Sequence, residues 1–423
     1  MQGQIELIEQ PLTANTTNFV SNMKLPVHRW FRYSAGYSAQ WAEAMIGEHV
    51  EPGSSDVVLD PFVGSGTTLI AAQSAGIESV GVESQPFVAR VARSKLSWSS
   101  SFADLEAAAG DVLRRLDSVP NDRPFEDEPA LLQKCYSPES LDELRRLESS
   151  IAGGEAGEEL AQLLWLALVA ILRPVSHVGT AQWQYILPNK TKATVKTTRE
   201  AFSSQIAGMV SDMATRQQEL GTASAALLIE GDVRSNQLLV PSSTFVLTSP
   251  PYANNYDYAD ATRLEMTFLG EVDSWGDLKA IRKSLVHSCT QHMAGYDGIE
   301  ALESDLLTPI RDDLKAVYDT LSVVRESRGG RKAYHSMIVG YFLDMAMTWA
   351  SVRQSLRDGG TACYVVGDSA PYGVHVPVEQ WLGRLAIHAG FEKYAFEKVR
   401  DRNMKWKNRK HRVPLQEGHL WVS

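Results

Sequence analysis

The sequence predicts an α/β fold: a doubly wound sheet of about seven strands, interrupted by helical insertions. Two observations carry that expectation. Residues 56–96 read strand, glycine loop, helix, strand, helix, which is the first half of such a sheet. Further strand-like runs return only from residue 225 onward, after a long stretch of helical pattern.

Taken in order, residues 22–50 are rich in aromatics. Ser38 is expected to cap a helix that turns Trp41, Met45 and Ile46 toward a core. DVVLD is a short apolar run of strand type and leads into PFVGSGTT. LIAAQSAG follows as a helix ending at Gly76. ESVGVE is the second strand, and PFVARVARSKL is a helix with Pro86 in its first turn. Residues 101–220 read as a mostly helical inserted domain. One stretch departs from it, Gln182–Lys196, which is polar, basic and aromatic. AALLIEGD (225–232) and STFVLTSPPY (243–252) are the next strands, and a second helical excursion covers roughly 260–330. Residues 337–360 are expected to form an apolar helix terminated by Gly359 and Gly360. TACYVVGD, EKYAFEKVR and GHLWVS supply the last three strands.

The chain has 423 residues, 44% of them hydrophobic, enough for two or three domains at roughly 150 residues each. Charged residues at 22% and aromatics at 9% exclude a disordered or collagen-like chain. No run of about 18 apolar residues predicts a membrane helix, and the N-terminus lacks the pattern of a signal peptide. Cys135, Cys289 and Cys363 are too irregularly spaced for a disulfide scaffold or a cysteine zinc site. A reducing cytosol is the expected compartment. The net charge of −10, from 41 basic and 51 acidic residues, argues mildly against nucleic acid as a partner. Yet Lys393–Arg412 holds nine Lys or Arg against Glu397 and Asp401, a local charge of +7. A solvated surface strand and loop is the plainer reading of that run.

Two motifs carry chemistry. The first is Asp60-Pro61-Phe62-Val63-Gly64-Ser65-Gly66-Thr67-Thr68. Glycines in a strand-to-helix turn let the backbone approach a ligand closely. Glu83 follows at the end of the second strand, where a nucleoside ribose is held through its hydroxyls. A bare tight turn is the alternative. A P-loop is disfavoured, because no Gly-Lys-Ser/Thr follows. The second motif is Thr248-Ser249-Pro250-Pro251-Tyr252, directly after the apolar run FVL. Two prolines cannot continue the ladder and they stiffen the backbone. A planar ring stacked on Tyr252 could present an exocyclic amine to Ser249 and a fixed carbonyl. A plain Pro-Pro turn with a surface tyrosine is the alternative.

Together the motifs resemble those of the S-adenosylmethionine-dependent DNA amino-methyltransferases. TSPPY looks like the catalytic motif of the cytosine-N4 members; adenine-N6 members more often carry Asp or Asn in place of Ser. The resemblance covers residues 56–96 and 226–260 and implies a Rossmann-like class I methyltransferase sheet. It divides the chain into a cofactor half (1–100), a helical insertion that is a candidate for target recognition (101–220), and a catalytic half (221–423). The resemblance implies that Asp60, Phe62, Gly64 and Gly66 line the methionine part of the cofactor, with Thr67 and Thr68 opening the next helix beside it. Glu83 would bind the ribose hydroxyls and Asp232 the adenine amino group. Ser249, Pro250, Pro251 and Tyr252 would hold the flipped base. His28–Tyr33 is a candidate for packing on the methionine end, core packing being equally open. The cofactor half comes first here, whereas many TSPPY enzymes have it last, and this leaves the target-recognition segment unassigned.

The resemblance further implies S-adenosylmethionine as cofactor, DNA as partner, no metal, and a cytoplasmic, nucleoid-associated prokaryotic enzyme of a restriction-modification or related defence system. Amine N–H groups bonded to Ser249 Oγ and the Pro250 carbonyl would draw the nitrogen toward in-line attack. No Pro-Cys context suggests covalent cytosine-C5 chemistry, and no His/Cys/Glu cluster has metal spacing. DNA phosphates are expected to meet Lys190, Lys192 and Lys196 in the insertion, and Arg400, Lys405, Lys407 and Arg409 near the C-terminus, with Trp183, Tyr185 and Trp406 interleaved. The competing readings are an adenine-N6 DNA enzyme, an RNA base methyltransferase, and a catalytically idle nucleic-acid-binding module.

Overall fold

The computed structural model describes residues 19–181, 184–235, 243–402 and 413–423. Its strands are β1 (Val57–Asp60), β2 (Glu78–Glu83), β3 (Val178–Thr180), β4 (Ile186–Thr191), β5 (Ala226–Glu230), β6 (Ser243–Thr248), β7 (Leu356–Gly367), β8 (Tyr394–Arg402) and β9 (Leu415–Val422). Seven of them form one sheet in the order β5-β2-β1-β6-β7-β9-β8. The first five in that order are parallel. β9 runs antiparallel between β7 and β8. This is the Rossmann-like sheet the sequence predicts. Its direction of progression reverses between β1 and β6, where a crevice opens at the strand C-termini. Both motifs lie there, since Asp60 closes β1 and Thr248 closes β6.

Side chains of the central strands alternate between two covered faces, as a parallel sheet requires. Val58, Phe245, Leu247, Cys363 and Val365 pack against α1 (Ala39–His49) and α2 (Thr67–Ser74). Leu59, Val246, Ala362, Tyr364 and Val366 pack on the opposite side. Ser38 caps α1 by accepting the Trp41 N–H. Pro86 opens α3 (Pro86–Leu96) at its first turn.

The insertion comprises α4 (Phe102–Arg115), α5 (Ala130–Cys135), α6 (Pro138–Ala152), α7 (Glu158–Val175), the antiparallel ribbon β3–β4, and α8 (Thr198–Leu220). The ribbon explains why residues 182–196 break the helical pattern: β4 pairs back on β3 across the chain's exit from α7. The apolar cluster of these helices is continuous with the rest of the molecule. Leu144, Leu166, Phe202 and Met209 join Val27, Trp30, Phe31 and Tyr33 from the N-terminal segment and Phe87 and Val91 of α3.

The excursion before β7 contains α9 (Tyr258–Ala261), α10 (Arg263–Phe268), α11 (Trp275–Arg282), α12 (Gly298–Leu302) and α13 (Arg311–Val324). α14 (Tyr334–Ser355) and α15 (Val378–His388) cover the second face of the sheet. Here one expectation is corrected. The apolar helix ends at Ser355, not at the two glycines. Gly359 and Gly360 belong to β7, where the pairing jumps from Ser243–Leu356 to Phe245–Thr361. Gly359 takes a φ of +77°, a conformation that favours glycine, so the pair serves a bulge rather than a helix stop. The three cysteines are buried and free. Among the described residues no helix is long and apolar enough to cross a membrane.

Candidate active site

The floor of the crevice is built by short-range geometry. Gly64 and Gly66 adopt φ of +53° and +94°. A Cβ on Gly64 would lie 3.3 Å from the Tyr33 ring, so the turn is seated against that side chain. Gly81 in β2 is as necessary, because a Cβ there would meet Val63 at 2.2 Å and Leu69 at 2.8 Å. The sequence reading did not single it out, since a glycine inside a strand signals close backbone approach only when its neighbour is known.

Asp60 is buried and joins the two motifs. Its carboxylate accepts the Thr248 hydroxyl (2.6 Å), the Phe62 N–H (2.9 Å) and the Thr68 hydroxyl. Thr68 is also bonded to Tyr37 and Leu247. Burial pushes the Asp60 carboxyl up to about 6 against these hydrogen bonds. Glu83 accepts the N–H groups of Gly64 (2.8 Å) and Gln85 (2.9 Å). Burial raises it to about 7, with the charge of Asp60 adding to the effect.

A cleft opens above this floor. Phe62, Gly64, Glu83, Asp232, Ser249 and Pro251 face it. So do Tyr33, Gln85, Val233, Tyr258 and the turn Ser284–Val286. The structure therefore brings parts of both motifs and Asp232 to one cavity. Asp60, Gly66, Thr67, Thr68, Pro250 and Tyr252 stand outside its lining. Of these, Asp60 and Thr68 tie the loop to the sheet from beneath. Tyr252 turns its hydroxyl to Glu417 (3.1 Å), and Arg402 lies 5.2 Å from its ring centre. Glu417 in turn holds Arg400 (2.9 Å). The Tyr252 N–H donates to the Tyr258 hydroxyl (3.2 Å). Asp232 is gripped by Arg234, whose guanidinium bridges to Asp344 at 2.8 Å. Asp344 also accepts the backbone N–H and Nδ1 of His287, next to the turn that lines the cleft. Nothing in the sequence pairs residue 344 with residue 232, so this support could not be read there. Tyr258 left a fainter signal, an aromatic shortly after TSPPY in NNYDYAD.

On the remaining side Tyr33 reaches the cleft from the irregular segment Val27–Ser34, and that segment is held from far away. Asp212 of α8 accepts the Val27 N–H (3.3 Å), Trp30 Nε1 (2.9 Å) and Arg29 Nε (3.0 Å). Val27 has a φ of +65°, which a β-branched residue adopts only when its surroundings hold it there. Lys95 of α3 donates to the carbonyls of His28 (3.1 Å) and Phe31 (3.3 Å). Burial drives its ammonium down to about 7. Gln184 accepts the Ser34 N–H and donates to the Arg32 carbonyl, both at 2.6 Å.

The expected DNA contacts divide. Lys190 and Lys196 are exposed. Lys192 is not free, since its ammonium donates to the carbonyls of Arg173 (2.5 Å) and Ser176 (3.0 Å), and burial lowers its pKa. Arg400 is paired with Glu417. Lys405, Lys407, Arg409, Trp183 and Trp406 lie outside the described residues. Asp257, Cys289 and His292 place ligand-capable atoms within 4.8 Å of one another. Arg282 already pairs with Asp257 (3.1 Å from Nε), and burial keeps the Cys289 thiol protonated, pushed up to about 12. The Asp257–Arg282 ion pair anchors the loop after TSPPY.

The family model described as DNA methylase, of the N6/N4 type, matches residues 9–94. The Type II methyltransferase M.AvaI of Nostoc sp. PCC 7120 is 25% identical over 428 residues, covering 91% of this chain and 83% of its own. M.BsoBI of Geobacillus stearothermophilus, another Type II methyltransferase, is 23% identical, covering 92% and 83%. A solved rRNA methyltransferase, aviRa from Streptomyces viridochromogenes, aligns with a TM-score of 0.32 at 12% identity over 94% of this chain and 91% of that one. The family and the two Type II relatives support a DNA amino-methyltransferase, whose methyl donor is S-adenosylmethionine.

Proposed function

We propose that this chain, a DNA amino-methyltransferase, methylates the exocyclic N4 amine of a cytosine flipped out of the duplex. The observation that carries the reading is that Ser249 of TSPPY opens into the same cleft as Glu83 and Asp232. Glu83 and Asp232 supply carboxylate acceptors in that cleft of the kind the ribose and adenine ends of S-adenosylmethionine call for, and Gly64 leaves backbone accessible between them. These residues fit the cofactor, which when bound supplies a methyl group already activated by the sulfonium.

The protein's own work is positioning. Glu83 accepts the ribose hydroxyls, and Asp232 accepts the adenine amine while Arg234 fixes its rotamer. Phe62 packs beside the methionine portion. Asp60 acts from below, locking Thr248 to the glycine loop so that Ser249 keeps its distance from the cofactor site. Ser249 Oγ and the Pro250 carbonyl accept the two N–H bonds of the target amine and aim its lone pair along the attack line. Tyr252, steadied by Glu417 and Arg402, offers a ring face to the extruded base. A serine at the first position of the motif, in place of an acid or amide, favours cytosine over adenine. Lys190, exposed on the ribbon, and Lys196, exposed in the connection that follows it, suit phosphate contacts. The Type II relatives point to a restriction-modification role, with a nuclease of matching specificity as the functional partner.

The test is to express the chain in a host lacking DNA methylation, digest the plasmid to nucleosides, and identify the product by mass spectrometry. N4-methylcytosine, lost in Ser249→Ala, is the expected result. N6-methyladenine alone would replace the cytosine assignment, and a wild type that neither binds S-adenosylmethionine nor modifies DNA would leave a nucleic-acid-binding module.

A further inference from the structure

The connection between β3 and β4 reaches both sides of the cleft through two consecutive residues, Gln184 and Tyr185; Tyr185, expected among the DNA-facing cations, turns instead to the loop after TSPPY. Gln184 is 2% exposed and has a φ of +66°. A non-glycine residue in that region is uncommon and persists where surrounding contacts hold it. Its side-chain amide closes a reciprocal pair with the backbone of Arg32 and Ser34, on either side of Tyr33. Tyr33 is the residue against which Gly64 is seated and which faces the cleft. Tyr185 points the other way. Its hydroxyl accepts the Asp257 N–H (2.9 Å), and its ring lies 5.5 Å from that of Tyr256. Tyr256 meets Tyr258 edge-on at 4.6 Å, and the Tyr258 hydroxyl receives the Tyr252 N–H. Arg173 of α7 fixes the junction. It bonds the Gln184 carbonyl (2.6 Å), the Ala261 carbonyl (2.7 Å) and the carboxylate of the buried Glu265.

We propose that Gln184 and Tyr185 are positioning residues of a two-sided latch: Gln184 sets the cofactor wall, Tyr185 sets the catalytic loop, and the ribbon that carries Lys190 ties the two. The inference rests on the methyltransferase reading given above. It assigns the insertion a part in building the active site. Its chemical content is hydrogen bonding to backbone. Gln184 neutralises one N–H and one carbonyl of a segment that has no regular partner strand, and Tyr185 gives the loop after TSPPY one fixed acceptor.

The test separates the two sides of the latch. Affinity for S-adenosylhomocysteine is measured by calorimetry. Turnover is measured as tritiated methyl incorporation into unmethylated bacterial DNA at saturating S-adenosylmethionine. Gln184→Met keeps the side-chain length and removes both bonds, and should weaken cofactor affinity roughly tenfold. Gln184→Glu keeps the acceptor for the Ser34 N–H and should recover part of that loss. Tyr185→Phe keeps the ring, should leave affinity within about twofold, and should slow turnover roughly fivefold. A purely structural role would lower the melting temperature of both variants without this division between affinity and rate. Wild-type affinity in Gln184→Met, or an equal affinity loss in Tyr185→Phe, overturns the latch and leaves the enzymatic reading intact. If Gln184→Met does not fold, Gln184→Glu decides: a loss of about threefold supports the latch and an unchanged affinity overturns it. A wild type that binds no cofactor sinks the enzymatic reading and the latch together.

Discussion

The floor and the wall of the cleft are made in opposite ways. The floor is local: Asp60, Gly64 and Glu83 lie within one strand–loop–helix–strand unit, and their bonds close over a few residues or between neighbouring strands. The wall is remote. Val27–Ser34 has only short 3-10 turns of its own, and its polar groups are met by Lys95, Gln184 and Asp212. Their ionisable groups differ in kind as well. The floor holds acids raised by burial, while the wall holds a lysine lowered by it. A ligand pocket can thus combine a half that any chain with the right turn would make and a half that only this tertiary structure makes.

The largest expected effect tests whether the wall depends on its remote anchors. Asp212 is 3% exposed at its side chain, and Asp212→Ala leaves the Val27 N–H and Trp30 Nε1 buried without their acceptor. At about 1–3 kcal/mol for each stranded donor, a loss of roughly 3 kcal/mol is expected in urea unfolding. Cofactor affinity should fall as well, because Tyr33 follows the segment. A loss below about 1 kcal/mol would mean that the segment is held by its apolar contacts alone.

That contrast also explains what the sequence disclosed. That Gly64, Glu83, Asp232 and Ser249 belong near one another was legible from fixed spacing around strand ends, and the structure brings them to one cleft. All seven strands of the sheet were legible from apolar runs bounded by turn residues. The anchors were not. Asp212 lies inside a long helix and Lys95 inside a short one, and both look like solvent-facing charges until the N-terminal segment is folded onto them. Gly359 and Gly360 misled for a related reason. A glycine pair after an apolar helix reads as a stop, whereas a bulge in β7 needs the same residues. Lys192 shows the same limit, a cation whose ammonium is spent on two carbonyls that the sequence cannot place beside it.

The next effect sharpens the description of the floor. On the proposed role, Glu83 must be ionised to accept two ribose hydroxyls at full strength, and burial places its titration at about 7. Affinity for S-adenosylhomocysteine should therefore improve as the pH rises from 6 to 8. The gain should be about fivefold, the difference between bonds to a neutral and to a charged acceptor. Glu83→Gln should flatten the profile at the weaker level. A profile equally steep in that variant would assign the titration elsewhere, with Asp60, at about 6, the nearest alternative.

The smallest effect concerns the wall and lies on the other side of neutrality. Lys95 has a folded pKa lowered from 10.5 to about 7, and it is 1% exposed. Between those two values the unfolded chain holds a proton that the folded chain has released. Stability therefore rises with pH across that window, and below about 7 the folded protein bears the cost of a buried ammonium. The raised acids of the floor act the other way and lower down. Their unfolded values lie near 4, and the stability they contribute in protonated form is lost as the pH climbs through about 6 and 7. The two regions can then be read separately in one pH series of melting temperatures. Lys95→Met removes the titration while keeping most of the side-chain volume, and leaves the carbonyls of His28 and Phe31 without their donor. As the pH rises past 9 toward 10.5 the cost of releasing the proton falls away, and the variant should become less stable than the wild type, the gap approaching about 1 kcal/mol, the net worth of such bonds. Near pH 6 the gap should shrink or reverse, because only the wild type buries a charge there. Parallel curves for the two proteins from pH 6 to 9 would show that Lys95 stays ionised throughout, its charge met by the carbonyls of the wall.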